Sequence, residues 1–438
     1  MSLKTSNLPF KARVDHEVHN TIMRKAVVKA QETIGANRQK MVDELGHWEE
    51  WRDLSKQIRN HVLANLDAYL YQLSEKVIEN GGKVYFAETA EEASAYIRKV
   101  ALEKNAKKIV KSKSMVTEEI GLNEVLEKEG MQVIETDLGE YLLQISGDKP
   151  SHIVVPAILE ADIGISGCNF AVAETGSVCL VTNEGNLRLA TTLPKTHIAV
   201  MGMERLAPTF QEVDVLITML ARSAVGAKLT GYNTWLTGPR LAGETDGPEE
   251  FHLVIVDNGR SDILASEFQE VLRCIRCGAC LNTCPAYRQI GGHGYGSIYP
   301  GPIGAVISPL LGGYDEFKEL PYACSLCNAC NSVCPVRIPL AQLILKHREK
   351  MVELGKTPAM ERLSIFGFTT ANANPMLWKT GVNIGAKLAG KLIKNGKAPI
   401  TFGALGEWTK ARDLPQADGE SFRQWFNNRG FTKSRKFS

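Results

Sequence analysis

The sequence predicts an α/β domain with a mixed, largely parallel sheet and flanking helices. N-terminal helices precede it, and a small, mainly α domain built on cysteines follows. Three observations predict this. Apolar residues recur at helical spacing up to Gly81-Gly82. From Lys83 onward, strand and helix patterns alternate. Between Cys274 and Pro335 the pattern C-x-x-C-x-x-C-x-x-x-C-P is written twice.

The N-terminal region, residues 1–80, carries Val14, Val18, Ile22 and Met23 at helical spacing. Trp48, Trp51, Leu54 and Ile58 repeat it, and the run continues through Val62, Leu66, Tyr69, Leu70 and Leu73. Gly81-Gly82 then ends the helix.

Residues 81–260 read as strand and helix in alternation, the pattern of a parallel sheet. Strands are expected at 83–87, 107–110, 132–135, 152–155, 163–166, 178–182, 198–201 and 253–256. Helices are expected at 89–103, 117–129 and 212–224. One junction is short: only a few residues separate the strand ending near Pro156 from the one starting near Asp162, whereas a parallel crossover needs about a dozen. Either these strands are antiparallel neighbours or a connecting element is absent.

Residues 261–355 hold the double motif: Cys274, Cys277, Cys280, Cys284 and Pro285, then Cys324, Cys327, Cys330, Cys334 and Pro335. This is the bacterial ferredoxin run, in which the fourth Cys ligates the other cluster. Three thiolates two residues apart can wrap one face of a [4Fe–4S] cube from a tight loop, and the fourth lies too far along to close the same cube. The proline suits the first turn of a helix that leads the fourth Cys away. The expected ligand sets are therefore Cys274, Cys277, Cys280 and Cys334 for cluster one, and Cys324, Cys327, Cys330 and Cys284 for cluster two. Zinc has no use for the third Cys and the repeated C-P. A disulfide framework belongs to short secreted chains, whereas this chain has 438 residues and no apolar leader.

Other stretches carry weaker signals. Lys111-Ser112-Lys113-Ser114 lies where a strand hands over to a helix, either an anion site or a basic turn with a capping serine. Glu174-Thr175-Gly176-Ser177 puts a carboxylate at a turn, with Asn183-Glu184-Gly185-Asn186 downstream. Cys168 and Cys179 match no metal spacing and read as small core residues. The glycines from Gly291 to Gly296 have no phosphate-loop ending, so they are expected to pack backbone closely around the clusters; His293 lies among them. From residue 356 to 438 the composition loosens, which predicts an extended arm anchored by Trp408, Phe422, Trp425 and Phe426.

Composition excludes several classes. The net charge of +2 gives no bulk attraction to nucleic acid or membrane. No run approaches the roughly 18 apolar residues of a membrane span. Eight of 10 Cys fall in the motifs, which fits a reducing cytoplasm. No flavin or nicotinamide fingerprint is readable, and no catalytic residue can be assigned.

The combination resembles the lactate utilization protein B family. The cysteine motif alone is shared by many redox subunits. What carries the resemblance is its pairing with Asp246-Gly247-Pro248-Glu249-Glu250, Val256-Asp257-Asn258-Gly259-Arg260, Gly167-Cys168-Asn169-Phe170, Gly292-His293-Gly294-Tyr295-Gly296-Ser297 and Gly301-Pro302-Ile303-Gly304-Ala305. The resemblance implies that the α/β part is an LUD domain, similar in fold to sugar isomerases and CoA transferases. It implies a ferredoxin-like domain with two [4Fe–4S] clusters, and electron transport in oxidation of L-lactate to pyruvate with two partner proteins. It also implies a longer, largely helical segment where this chain has only Ile158 to Ala161. Two other readings stay open: a self-contained 2-hydroxy-acid oxidoreductase with its site near Lys111 or Glu174, and a redox-sensing scaffold.

Overall fold

The computed structural model describes residues 3–136, 158–183, 185–392 and 420–428. It forms two compact units, Met1–Lys356 and Thr357–Ser438.

The first unit opens with four helices: Phe10–His19, Thr21–Leu45, Trp48–Ala64 and Leu66–Glu79. The second is capped by Asn20, whose Oδ1 accepts the Met23 N–H at 3.0 Å. The third buries Trp48, Ile58 and Val62 along one stripe, and with them Arg52 and Arg59. The fourth buries Leu73 and Val77 and ends at Gly81, which takes the left-handed φ of 84°.

Six parallel strands then build the main sheet: β1 (Lys83–Ala87), β2 (Lys108–Lys111), β3 (Gln132–Glu135), β4 (Ile163–Ser166), β7 (Thr196–Gly202) and β10 (Glu250–Val256), in the order β1-β10-β7-β4-β2-β3. Both faces are covered, so β7 is buried along its whole length. The period of two sorts the side chains. Val200, Val254 and Val256 meet Ile97 and Val100 of the helix Ala90–Glu103 on one face. Ala199, Met201, Leu253 and Ile255 meet Leu73 and Val77 on the other.

The expected strand at 152–155 lies outside the described residues. The short junction nonetheless has an outcome, because β4 pairs in parallel with both β2 and β7. An antiparallel neighbour is therefore not how β4 is accommodated. Ile158, 1% exposed, packs with Val110, Ile134 and Ala190 just before it.

Several expectations are corrected. Residues 177–182 do not join the main sheet. They form β6 (Ser177–Thr182) of a second sheet, ordered β8-β5-β6-β9, with β5 (Phe170–Val172), β8 (Leu206–Ala207) and β9 (Tyr232–Leu236). Strands of two or three residues are too short to show a period. The helix expected at 117–129 is two helices, Met115–Glu119 and Leu122–Lys128, because Gly121 turns left-handed between them at φ 60°. Lys111 closes β2 rather than sitting in the turn after it. The expected arm is also wrong where it is described: Ala359–Ala373 and Pro375–Leu392 are long helices, and Phe422–Asn428 is a short one. Their many small residues are compatible with helix. Trp408 lies outside the described residues.

One charged network stands inside the first unit. The Arg260 guanidinium grips Glu119 with Nη1 at 2.8 Å and Nη2 at 2.9 Å. Its Nε faces Glu204 Oε2 at 2.9 Å. Tyr299 and Asn258 also donate to Glu119. Burial alone would raise both carboxyls, but Arg260 and its neighbours outweigh it: Glu119 is held below its ordinary range and Glu204 is brought down to about 2.

Arg260→Met would leave two buried carboxylates without their partner. It is expected to lower unfolding free energy by about 3–5 kcal/mol, read by denaturant titration. The sign in pH follows from the depressed carboxyls. Their contribution in the parent is complete above about pH 5 and is lost as pH falls through about 4 towards 2. The variant should lose much less stability over that range.

Candidate functional site

The two cysteine loops are conformational copies. In the first, Cys274 follows the 3-10 turn Gln269–Arg273, Arg276 and Gly278 take left-handed φ values of 58° and 74°, and the helix Ala279–Asn282 begins. In the second, Cys324 follows the turn Leu320–Tyr322, Leu326 and Asn328 take 56° and 62°, and the helix Ala329–Val333 begins. Left-handed backbone at two non-glycine side chains, Arg276 and Leu326, is unusual. It turns backbone N–H groups inward: Arg276 N–H donates to Cys274 Sγ at 3.4 Å, and Leu326 N–H donates to Cys324 Sγ at 3.3 Å.

The copies diverge at the prolines. Pro285 opens the helix Pro285–Ile290, and Cys284 caps it by accepting the Tyr287 N–H. Pro335 opens no helix. The chain turns through Arg337 at φ 49°, and the helix waits until Leu340–Glu353. The expectation of a helix at each proline therefore holds once. At the second, Cys334 Sγ accepts the Ile338 N–H at 3.3 Å instead.

The eight thiols fall into two groups. Cys274, Cys277, Cys280 and Cys334 line one cavity of about 70 Å³, walled by Ile275, Ile303 and Val336. Burial, and then the nearness of Cys334 and Cys274, push the Cys277 thiol up; Cys334 itself rises to about 11. Cys330 is pushed up to about 12 by burial and then by Cys324, Cys284 and Cys327. Such crowded thiols cannot all ionise unaided. A cationic iron core would hold them as thiolates, so the donor set fits an iron–sulfur group. Among the described residues, no three His, Cys, Asp or Glu side chains converge to hold one metal ion. In a cube each thiolate takes its own iron, so its ligands stand around a volume.

The two groups differ in exposure. No residue from Cys274 to Cys284 is exposed, whereas Ser325, Cys327 and Asn328 are. The N-terminal helices back both loops. Arg52 Nε donates to the Cys334 carbonyl at 2.9 Å and its Nη2 to Asn331 at 2.7 Å. Arg59, wholly buried and brought down to about 10 by that burial, donates to the carbonyls of Glu204, Leu206, Leu272 and Arg273.

The weaker candidates separate. Lys111 is fully buried, paired with Glu135 at 2.5 Å and donating to Thr117. Glu174 accepts the Phe210 N–H at 2.8 Å at the start of the helix Phe210–Ala224. Both have structural employment. His293 is exposed. Cys179 is fully buried, and burial pushes Cys168 up to about 12. The glycines from Gly291 to Gly296 do pack closely, but against the N-terminal helices and their own helix rather than the cysteine loops: a Cβ on Gly291 would come within 2.7 Å of Met23, one on Gly294 within 2.7 Å of Ile290, and one on Gly296 would strike Arg13. Ser112 and Lys113, by contrast, line a second cavity of about 210 Å³ with Gly167, Asn169, Arg205 and Arg276. Arg205, Arg276 and Tyr299 were missed as site residues. The arginine inside R-C-x-R-C was the one readable signal.

Comparison with known proteins places these parts. Residues 70–256 match the LUD domain, residues 270–338 the 4Fe-4S dicluster domain, and residues 345–431 the C-terminal region of lactate utilisation protein B. The chain is 68% identical to "Uncharacterized electron transport protein YkgF" of Escherichia coli K12, over 97% of this chain and 98% of that one. It is 56% identical to lactate utilization protein B of Bacillus subtilis and 55% to that of Geobacillus thermodenitrificans, each over 98% of both chains. These alignments run over 464 and 469 positions, more than the 438 residues here, so the relatives carry residues that this chain lacks. With its α/β sheet, its doubled cysteine loops and its C-terminal region all matched, the chain belongs to the lactate utilization protein B family.

Proposed function

We propose that this chain is the iron–sulfur electron-transfer component of L-lactate oxidation to pyruvate, acting in the cytoplasm with two partner proteins. The observation that carries this reading is the pair of four-thiol groups, one enclosed and one reaching the surface at Cys327. Two [4Fe–4S] clusters, when bound, would supply one-electron transfer. We assign Cys274, Cys277, Cys280 and Cys334 to the first and Cys324, Cys327, Cys330 and Cys284 to the second. The cavity lining supports this crossing, since it includes Cys334 and not Cys284. The working division is 1–80 for the N-terminal helices, 81–260 for the LUD domain, 261–355 for the ferredoxin-like domain and 356–438 for the C-terminal region.

The chain's own residues do three things. N–H groups of Arg276, Tyr287, Leu326 and Ile338 point at sulfur and favour its charged form. Apolar side chains, Ile275, Ile303 and Val336 among them, wall the first group. The exposed turn around Cys327 offers the second group to a partner. No helix among the described residues is long and apolar enough to cross a membrane. A self-contained oxidoreductase would need an acid–base residue, and its two candidates, Lys111 and Glu174, are tied up in the fold.

Protein purified anaerobically is expected to carry about eight iron and eight sulfide per chain. Stoichiometric zinc with little iron would sink the reading. Cys334→Ser should disturb the spectrum of the cluster held by Cys274, Cys277 and Cys280, and Cys284→Ser that of the other, each matching its distant triplet's variant by electron paramagnetic resonance. The loaded chain alone, given L-lactate and a dye acceptor, should show no turnover above the iron-free control. Turnover would place the oxidation within this chain.

A further inference from the structure

The second cavity lies at the switch point of the main sheet. Of the strands beside it, β2 continues outward to β3, while β4 neighbours β7 on the other side. The chain leaving β2 and the chain leaving β4 therefore part there, opening a crevice beyond the carboxyl ends of the strands. The crevice is kept narrow at its base by Gly167, where a Cβ would come within 2.8 Å of Ser114 Oγ.

Its lining is one-sided in charge. Lys113, Arg205 and Arg276 line it, and no carboxylate among the described residues does; Glu204 lies behind the two arginines, 3.7 Å from Arg205 and 4.0 Å from Arg276. Polar atoms here wait for a partner. Ser112 is 3% exposed, and its Oγ has no hydrogen-bond partner among the described residues; Arg276 Nη1 is likewise buried and unmet. A buried hydroxyl or guanidinium N–H without a partner is costly unless something else supplies the acceptor.

The cavity also has a neighbour. Met115, Arg276 and Tyr299 line it and line the cavity of Cys274, Cys277, Cys280 and Cys334 as well. Arg276 stacks over the Tyr299 ring at 4.2 Å, and its own backbone N–H donates to Cys274 Sγ. One guanidinium thus stands between this basic cavity and the first thiol group.

We propose that this cavity binds a small carboxylate, held by Ser112 and Arg276, and that its occupancy is coupled through Arg276 to the redox state of the first cluster. The site goes beyond the relay reading; the coupling rests on it, because it needs a cluster on those four cysteines. The sign of the coupling is fixed by electrostatics. A bound anion offsets the Arg276 charge, so adding an electron next door becomes less favourable. By linkage, the carboxylate binds the oxidised protein more tightly than the reduced one, and reduction promotes its release.

The test uses the full, cluster-loaded chain under anaerobic conditions. L-lactate, pyruvate and inorganic phosphate are titrated separately by calorimetry into oxidised and into dithionite-reduced protein, with iron measured on each sample. Saturable binding of L-lactate or pyruvate is expected, weaker in the reduced protein, with a lower midpoint for the first cluster when ligand is present. Ser112→Ala should weaken binding about tenfold, as loss of a hydrogen bond to a charged group does, with iron content kept. Arg276→Gln should weaken it further and abolish the difference between oxidised and reduced protein. If Arg276→Gln loses iron, the Ser112→Ala result decides. No binding of either carboxylate, binding of phosphate alone, or binding indifferent to Ser112→Ala overturns the site. Binding with equal affinity in both redox states overturns the coupling. Failure of the iron analysis would instead speak against the relay reading, since the calorimetric titration of oxidised protein needs no electron.

Discussion

The structure of the first unit depends on one buried guanidinium. Arg260 holds Glu119 from the helix after β2 and Glu204 from the loop after β7, and Glu119 in turn takes the Tyr299 hydroxyl from the cysteine region. Four stretches remote in sequence are thereby fixed around one point. The arrangement is costly to desolvate and is repaid only by its geometry, with two parallel bonds to one carboxylate and an ion pair with another. The same point carries Arg276, 4.0 Å from Glu204, so the register of the first cysteine loop is set from the α/β side. Neither the sheet nor the loop could shift alone without parting a charge from its partner.

Much of this was legible in the sequence where a period was long enough to read. The six main strands carry runs of apolar residues between helices, and all six were bounded to within a few residues; β7 and β10 extend a little beyond the expected bounds. The cysteine spacing was legible because a cluster demands local geometry. What could not be read falls into two kinds. Strands β5 and β8 are two or three residues long and exist only through their pairing. The buried arginines, Arg52, Arg59, Arg205, Arg260 and Arg273, look in sequence like ordinary solvated charge. Their partners are mostly backbone carbonyls or carboxylates far along the chain, which leave no local pattern. The C-terminal helices were misread because small residues suit both a loose arm and a helix, and composition does not choose between them.

The two cysteine loops show how repetition and divergence share the work. Their common left-handed turns set equivalent N–H groups on equivalent sulfurs. Their difference lies in surroundings. The first loop is pressed against the LUD domain through Arg205, whose Nη1 donates to the Cys274 carbonyl, and through Arg276. The second faces outward, its carbonyl at Cys324 held by Arg348 of the following helix. The same turn thus meets two environments, an inward and an outward one.

Arg59 has a consequence for how the chain comes off the ribosome. Its helix is among the first elements made, yet the carbonyls it must satisfy belong to residues 204, 206, 272 and 273. Until those emerge, a cation destined for complete burial has only water for company, and the apolar stripe of its own helix has nothing permanent to rest on. The N-terminal helices are therefore expected to stay undocked through most of synthesis and to close last, over loops that by then expose their thiols.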